Sequence, residues 1–333
     1  MTTSSSAPDI ITLQAHILQQ QARYPEARGT LSWILSALSI SAKMIAAHVR
    51  RARLDDVLGA VGNQNVQGEQ QQKLDVIANE ILMRTLGGRE GVAIVASEEN
   101  EEPVILRSDN DSAERKYCVL FDPLDGSSNL DVCGSVGTIF SILRQDRRSS
   151  NPADSLLQPG AQQIAAGYVL YGSSTVFVLT IGLGVDMFVL DPAYGAFIRV
   201  AQGVKVPARN KCYSLNEGNR RTFPEGYQRY LNWAQEQSYS SRYVGAMVAD
   251  VHRILLQGGV FMYPPTQKAP NGKLRLMYEA NPMAMLIEQA GGKALAAPDT
   301  RILDVQPRDI HQRTPVIIGS SDEVDNVVAH LRA

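Results

Sequence analysis

Apolar positions recur along this chain in two rhythms, and the change from one to the other marks how it is organised. Ile10, Ile11, Leu13 and Ile17 fall at near-helical spacing within residues 9–21 and predict a short helix. Leu31, Ile34, Leu35, Leu38, Met44, Ile45 and Val49 keep that period in a second helix, with Thr30 or Ser32 as its cap and Arg50, Arg51 and Arg53 at its C-terminal end. The tight loop between them, residues 24–30, is a helix connection of a kind that can also hold an anion. Residues 59–69, rich in Gly, Asn and Gln, read as a mobile loop. It leads into a helix through Lys73, Leu74, Ile77, Ile81 and Leu82, with Asp75 in the early turns where negative charge is favoured.

The rhythm then shortens. Residues 91–97 and 117–120 are continuous apolar runs of strand length, as expected of buried strands. Further β-rich runs at 137–143, 164–171, 175–181, 185–190 and 196–200 are separated by Gly and Asp-Pro turns, which predicts a meander in a mixed or antiparallel sheet. The polar stretch 147–159 reads as a surface loop. From Gly203 helix and strand alternate, with helices at 227–237, 247–257, 279–290 and 320–331 and a strand at 260–263. Gly258-Gly259 and Gly291-Gly292 act as stops, and Ser320-x-x-Glu323 as a capping pattern. Two parts are expected, 1–200 and 201–333.

Bulk properties narrow the function. A chain of 333 residues has ample core for two domains or one large two-part body. A net charge of −2 gives no global field for nucleic acid or an anionic membrane, so any phosphate binding must be local. Cys118, Cys133 and Cys212 show no C-x-x-C spacing and read as reduced thiols. The polar residues 1–8 do not resemble a secretory signal. The run 175–190 is broken by Gly182, Gly184 and Asp186 and is shorter than the roughly 20 residues of a membrane span. A cytoplasmic protein without membrane or nucleic-acid partners is expected.

The candidate chemistry centres on Phe121-Asp122-Pro123-Leu124-Asp125-Gly126-Ser127-Ser128-Asn129. Asp122 and Asp125 supply hard oxygen ligands for a small divalent cation, and Leu124 a backbone carbonyl. Gly126, Ser127 and Ser128 offer amides and hydroxyls to an anion. The same residue types also build ordinary solvated turns. Glu98-Glu99 end the run 91–97, and if the two runs are parallel neighbours their ends lie about 5 to 10 Å apart. Together the acidic pairs suggest metal-assisted phosphoryl chemistry, in which a cation neutralises ester oxygens and acidifies the attacking water. Lys273 and Arg275, alternating with Leu274 and Leu276, make either a phosphate clamp on one strand face or a solvated face. No histidine pair has metal-ligand spacing, and no Gly-x-Ser-x-Gly elbow, Walker loop or dinucleotide fingerprint occurs.

These residues resemble the class I fructose-1,6-bisphosphatases, within the sugar and inositol phosphatase superfamily. The resemblance spans residues 10–331. It is carried by Ser97-Glu98-Glu99, residues 121–129, Ala165-Ala166-Gly167-Tyr168, Asn216-Glu217-Gly218, Arg242-Tyr243-Val244-Gly245, Val248-Ala249-Asp250 and Gly272-Lys273-Leu274-Arg275-Leu276. It implies an α+β protein with the layered α-β-α-β-α sugar phosphatase fold and mixed sheets. The activity implied is hydrolysis of the 1-phosphate of fructose 1,6-bisphosphate with two or more magnesium ions per subunit, or manganese. By motif match Glu98, Asp122, Asp125 and Glu279 would hold metal, with the Leu124 carbonyl and Glu69 completing adjacent sites, and Asp75 with Glu99 would activate the water. Gly126, Ser127 and Ser128 would hold the 1-phosphate, Lys273 with Arg275 the sugar phosphates, and Asn216, Tyr243 and Tyr263 the 6-phosphate. Arg242 would reach the 6-phosphate across a subunit boundary, which implies a homotetramer. An allosteric AMP site would use Arg28, Gly29, Thr30, Lys116, Tyr117 and Arg144, although residues 27–32 lack the family's usual threonine and glutamate. Asn219 stands where vertebrate members have tyrosine. Sedoheptulose bisphosphate as a second substrate, an inositol-monophosphatase-like activity and a catalytically silent AMP sensor are the competing readings.

Overall fold

Side-chain alternation explains the first sheet. Tyr117, Val119 and Phe121 of one strand enter one hydrophobic cluster while Cys118 and Leu120 enter another, and all five are buried. Both faces of the sheet are covered, which is why its strands read as continuous apolar runs. The computed structural model describes residues 10–22, 29–55, 57–64, 70–106, 117–146 and 151–333.

The chain opens with α1 (Leu13–Ala22), α2 (Thr30–Arg51), the antiparallel pair β1 (Ala60–Gln64) and β2 (Gln70–Gln72), and α3 (Lys73–Gly87). The first sheet follows: β3 (Val92–Ser97), β4 (Val104–Ile105), β5 (Tyr117–Asp125), β6 (Val136–Arg144), β7 (Ala165–Tyr171), β8 (Thr175–Thr180), β9 (Asp186–Asp191) and β10 (Ala196–Ala201). Their spatial order is β10-β9-β8-β7-β6-β5-β3-β4. The pair β3 and β5 is parallel, with Ser97 opposite Phe121, while β5 to β10 form the expected antiparallel meander.

The second half contains β11 (Cys212–Ser214), α4 (Glu225–Glu236), β12 (Ser240–Ser241), α5 (Met247–Gln257), β13 (Val260–Tyr263) and β14 (Leu274–Arg275). It continues with α6 (Asn281–Gln289), β15 (Lys293–Ala297), β16 (Thr300–Arg301), β17 (Arg313–Thr314), β18 (Val316–Gly319) and α7 (Ser321–Arg332). A second sheet has the order β12-β11-β13-β18-β15-β16, and β14 pairs with β17.

Three apolar clusters bind these elements into layers. Ile34, Leu38, Leu74 and Leu82 of α2 and α3 cover one face of the first sheet. Met247, Val251, Met283 and Leu286 of α5 and α6 cover the other and meet Phe261 and Ile318 of the second sheet. Tyr230 and Leu231 of α4 and Val324 and Val327 of α7 close the far face against Tyr213, Met262 and Ile317. The order is α-β-α-β-α with mixed sheets, the architecture the resemblance implies.

Local details depart from the sequence reading where tertiary contacts overrule propensity. The N-cap of α2 is Gly29, in left-handed geometry at φ 77°, and not Thr30 or Ser32. Residues 60–64, read as loop, are strand, while 65–69 lie outside the described residues. Ser320 precedes α7 without capping it, because its Oγ accepts from Gly259 N at 2.9 Å and donates to the Pro207 carbonyl at 2.5 Å. Glu323, the supposed partner in a capping box, accepts from the Tyr239 hydroxyl instead. Among the described residues, the helix with the length and hydropathy of a membrane span is α2, 22 residues long, but half of its apolar window is buried in the core that α2 shares with the sheet and α3. It is the core helix of the N-terminal layer.

Candidate active site

Two parallel strands deliver the acidic groups. Because β3 and β5 run side by side, Glu98 and Glu99 leave β3 next to the end of β5, and Glu98 N donates to the Phe121 carbonyl at 3.0 Å. The expected turn at 121–129 begins later than the sequence suggests. β5 continues through Asp122 to Asp125, with a register shift between them opposite β6. That irregularity lets residues three apart serve one place, and Asp122 further takes the Leu124 amide at 2.9 Å. Thr138 holds the Pro123 carbonyl at 2.8 Å. Glu279 arrives from the C-terminal half on a π-helical turn, Leu276–Ala280, that precedes α6. Such turns displace side chains from the α-helical rhythm and recur at functional sites.

Asp122, Asp125 and Glu279 are buried and offer oxygens that all lie within 4.8 Å of one another. Burial, then the facing charges of Glu98, Asp125, Glu279 and Glu99, push the Asp122 carboxyl well above the carboxylate range. Burial and Glu279 raise Asp125 to about 7, against the pull of the Val248 and Met247 amides at the start of α5. Of the cationic side chains in the cleft, Arg275 pairs with Glu98 at 2.8 Å. Hard oxygen donors crowded under their own repulsion fit a divalent cation.

Asp75 lies beside this cluster, in the first turn of α3, where its carboxylate accepts from Gln72 N at 2.8 Å. Burial raises it to about 7, with the charge of Glu99 adding to the rise and the Gln72 amide and Ser127 hydroxyl opposing it. Gly126 opens the short turn Ser127–Val132 at φ 75°. The first amides of such a turn have no acceptor within it. Any Cβ at Gly126 would sit 2.3 Å from the Ala246 Cβ, so glycine alone lets the turn approach the start of α5.

The carboxylates of Asp75, Glu98, Glu99, Asp122, Asp125 and Glu279 line one cleft of about 390 Å³, and Leu124, Gly126, Ser127 and Ser128 line it as well. Tyr243, Tyr263 and Lys273 line the same cleft. Burial raises the Tyr243 hydroxyl, and the hydroxyl of Tyr263, to which it is hydrogen-bonded, adds to the rise. Arg275 shares the cleft wall with Lys273, but its guanidinium is buried on Glu98, which leaves Lys273 as the exposed cation of the pair. Gly245, Met247, Phe261 and Leu274 also line the cleft; Gly245 and Leu274 lie in the motifs named above, but none of the four is an expected site residue, since apolar and glycine positions carry no chemical signal there.

Other expected site residues lie elsewhere. Asn216 caps the turn Glu217–Thr222 by accepting from Gly218 N at 3.1 Å and does not line the cleft. Arg242 is exposed outside it, next to Tyr243. Gly29 lines a small apolar cavity of about 40 Å³ between α1, α2 and β8, together with His16, Gln20, Leu35, Leu179 and Ile181. Thr30 begins α2, and Tyr117 and Arg144 are cross-strand neighbours on β5 and β6. Arg28, Lys116 and Glu69 lie outside the described residues.

Five alternating layers around an acidic cleft of this kind define the sugar phosphatase class of fold. Comparison with known proteins is more specific. Residues 11–202 match the family model for the fructose-1-6-bisphosphatase N-terminal domain, and residues 206–332 match that for the C-terminal domain. The chain is 50% identical over 326 residues to the fructose-1,6-bisphosphatase class 1 of Chlorobium chlorochromatii, covering 95% of this chain and 96% of that protein. It is 47% identical to the corresponding protein of Chloroherpeton thalassium, covering 95% and 92%. Among solved structures, Leishmania major fructose-1,6-bisphosphatase in its holo form superposes with a TM-score of 0.91 at 39% identity, covering 98% of this chain and 100% of that one. The chain belongs to the fructose-1,6-bisphosphatase family.

Proposed function

We infer that this chain hydrolyses the 1-phosphate of fructose 1,6-bisphosphate, releasing fructose 6-phosphate and inorganic phosphate, as a phosphoric monoester hydrolase of carbohydrate metabolism. The observation that carries the reading is the presence, in one cleft, of a buried carboxylate cluster together with Lys273, Tyr243 and Tyr263. A substrate with a phosphate at each end matches that layout.

Asp122, Asp125, Glu279 and Glu98, with the Leu124 carbonyl and Glu69, are the residues that would hold magnesium, which when bound supplies charge neutralisation of the ester and a more acidic water. Gly126, Ser127 and Ser128 hold the 1-phosphate by amides and hydroxyls. Asp75, oriented by Gln72 and Ser127 and aided by Glu99, takes the proton of the attacking water. The water oxygen bonds to phosphorus as the ester P–O bond breaks, and the bond electrons leave with the sugar oxygen. Lys273 binds the sugar phosphates, and Tyr243 and Tyr263 the distal one. Arg275 contributes by fixing Glu98 at 2.8 Å.

The reading extends to a homotetramer in which Arg242 reaches a neighbour's distal phosphate, which its exposure beside Tyr243 supports. It includes AMP inhibition at the start of α2, supported by the left-handed Gly29 at the head of that helix and by the cross-strand pairing of Tyr117 with Arg144. A cytoplasmic location belongs to the same reading. So does a division at about residue 200 into a metal-and-phosphate part and a sugar-phosphate part. The test is phosphate release, with magnesium, from fructose 1,6-bisphosphate, sedoheptulose 1,7-bisphosphate and inositol 1-phosphate, with and without AMP. Preference for the fructose ester is expected, and failure to release phosphate from it would reject the assignment. A flat activity curve in AMP would reject the allosteric part.

A further inference from the structure

The loop that carries Arg242 and Tyr243 has no regular secondary structure, yet its backbone is closely held. It follows the two-residue strand β12 and ends at Gly245, which has φ 86°. Below it lies Asp250, in the first turn of α5 and fully buried at 0% exposure. Both carboxylate oxygens of Asp250 accept from Val244 N at 3.1 Å, and one also accepts from Gly245 N at 3.2 Å. Arg253, one turn further along α5, donates to Asp250 at 2.9 Å and to the Arg242 carbonyl at 3.0 Å. The loop backbone is thus wrapped around an ion pair, with amides on the carboxylate and a carbonyl on the guanidinium. Asp250 does not line the cleft, although its charge is felt by Asp125 and Tyr243, which do.

The geometry points to Asp250 and Arg253 as a positioning pair that sets how the 242–245 loop presents Tyr243 to the distal phosphate within the cleft and Arg242 to the exterior. This rests on the proposed roles of Tyr243 and Arg242. Charge-assisted bonds to a buried carboxylate are strong and directional, and leaving the Arg253 guanidinium without its anion is costly. Weakening the pair lets the loop shift, and the loss falls on the end of the substrate that the loop touches. The turn that holds the reacting phosphate meets the loop through Asn129, whose side-chain amide donates to the Val244 carbonyl at 3.3 Å, so the loss at that end is the smaller one.

The test is steady-state kinetics of the full-length enzyme on fructose 1,6-bisphosphate and on fructose 1-phosphate, which lacks the distal group. Asp250→Asn and Arg253→Met are expected to raise KM for the bisphosphate about tenfold or more while leaving its kcat within about twofold. The kcat/KM for fructose 1-phosphate should fall by less, and Arg253→Lys should recover part of the loss. Tyr243→Phe is the control, because it must show the same split if the binding role is correct. If Tyr243→Phe discriminates between the two esters while Asp250→Asn and Arg253→Met do not, the positioning role is overturned. Equal losses of kcat on both esters would reduce the pair to scaffolding and overturn it as well. If Tyr243→Phe shows no split, the binding reading beneath it fails. Should Asp250→Asn not fold, Arg253→Met, altered at a side chain that is 20% exposed, carries the test alone.

Discussion

At the residue scale, the proposed chemistry depends on carboxylates kept in an environment that disfavours their charge. As the proposed base, Asp75, raised to about 7, must be ionised to accept a proton, so turnover should climb with pH through about 7 and fall about tenfold per unit below it. Stability moves the other way. A carboxyl whose folded pKa lies above its unfolded value favours the fold at low pH, and that advantage is lost as pH rises from about 4 to about 7. Asp75→Asn should flatten the acid limb and lower kcat by about 10²- to 10⁴-fold, and a pH profile of kcat for parent and variant checks both statements. Asp122 stands against four other carboxylates. Asp122→Asn should therefore abolish turnover yet raise the metal-free melting temperature by about 2 °C or more, because it removes buried repulsion. Calorimetry in a chelator measures the second effect, and a lower melting temperature would count against the cluster as a source of strain.

At the element scale, the start of α5 organises both ends of the cleft. Its Val248 amide takes Asp125 at 2.7 Å, and its first turn supplies Asp250 to the distal loop. Two glycines allow that helix to come close. Gly126 sits against Ala246, and a Cβ at Gly137 would lie 2.4 Å from the Val169 carbonyl and 2.7 Å from Val248. Gly126→Ala adds both a left-handed backbone penalty, about 1 to 3 kcal/mol, and a steric clash. It should cut kcat about a hundredfold and lower stability by about 2 kcal/mol or more, measurable by phosphate release and thermal unfolding together. Such contacts set the limit of what was legible in the sequence. The helices could be read because their apolar positions keep a period of 3.6, the meander because its strands are apolar runs separated by Gly and Asp-Pro turns, and Glu98, Asp122 and Asp125 because they stand as acidic pairs at the ends of such runs. The extension of β5 through Pro123, the π-turn under Glu279 and the failure of Ser320 to cap α7 all arise from partners distant in sequence. Asp250 belonged to a quoted motif, but nothing local distinguishes an aspartate in a first helical turn from one that anchors a loop.

At the scale of the whole molecule, the five layers bring Asp122 from the N-terminal half and Glu279 from the C-terminal half into one cluster, so neither half holds the site alone. The distal end raises the same question one level higher, since Arg242 is exposed outside its own cleft while its neighbour Tyr243 lies within it. If Arg242 serves a partner subunit, a chain with sound chemistry and no Arg242 can be completed by a chain with dead chemistry and an intact Arg242. Asp122→Ala and Arg242→Ala proteins, unfolded and reassembled together in equal amounts, test this directly. For symmetric pairing across one interface, about half of the Arg242→Ala subunits, and so about a quarter of all clefts, would regain the parent KM for the bisphosphate. If Arg242 acted within its own chain, or not at all, the mixture would behave as the sum of the two variants at every substrate concentration. A low-KM component in the mixture, absent from both variants alone, therefore measures a contact that no single chain can make.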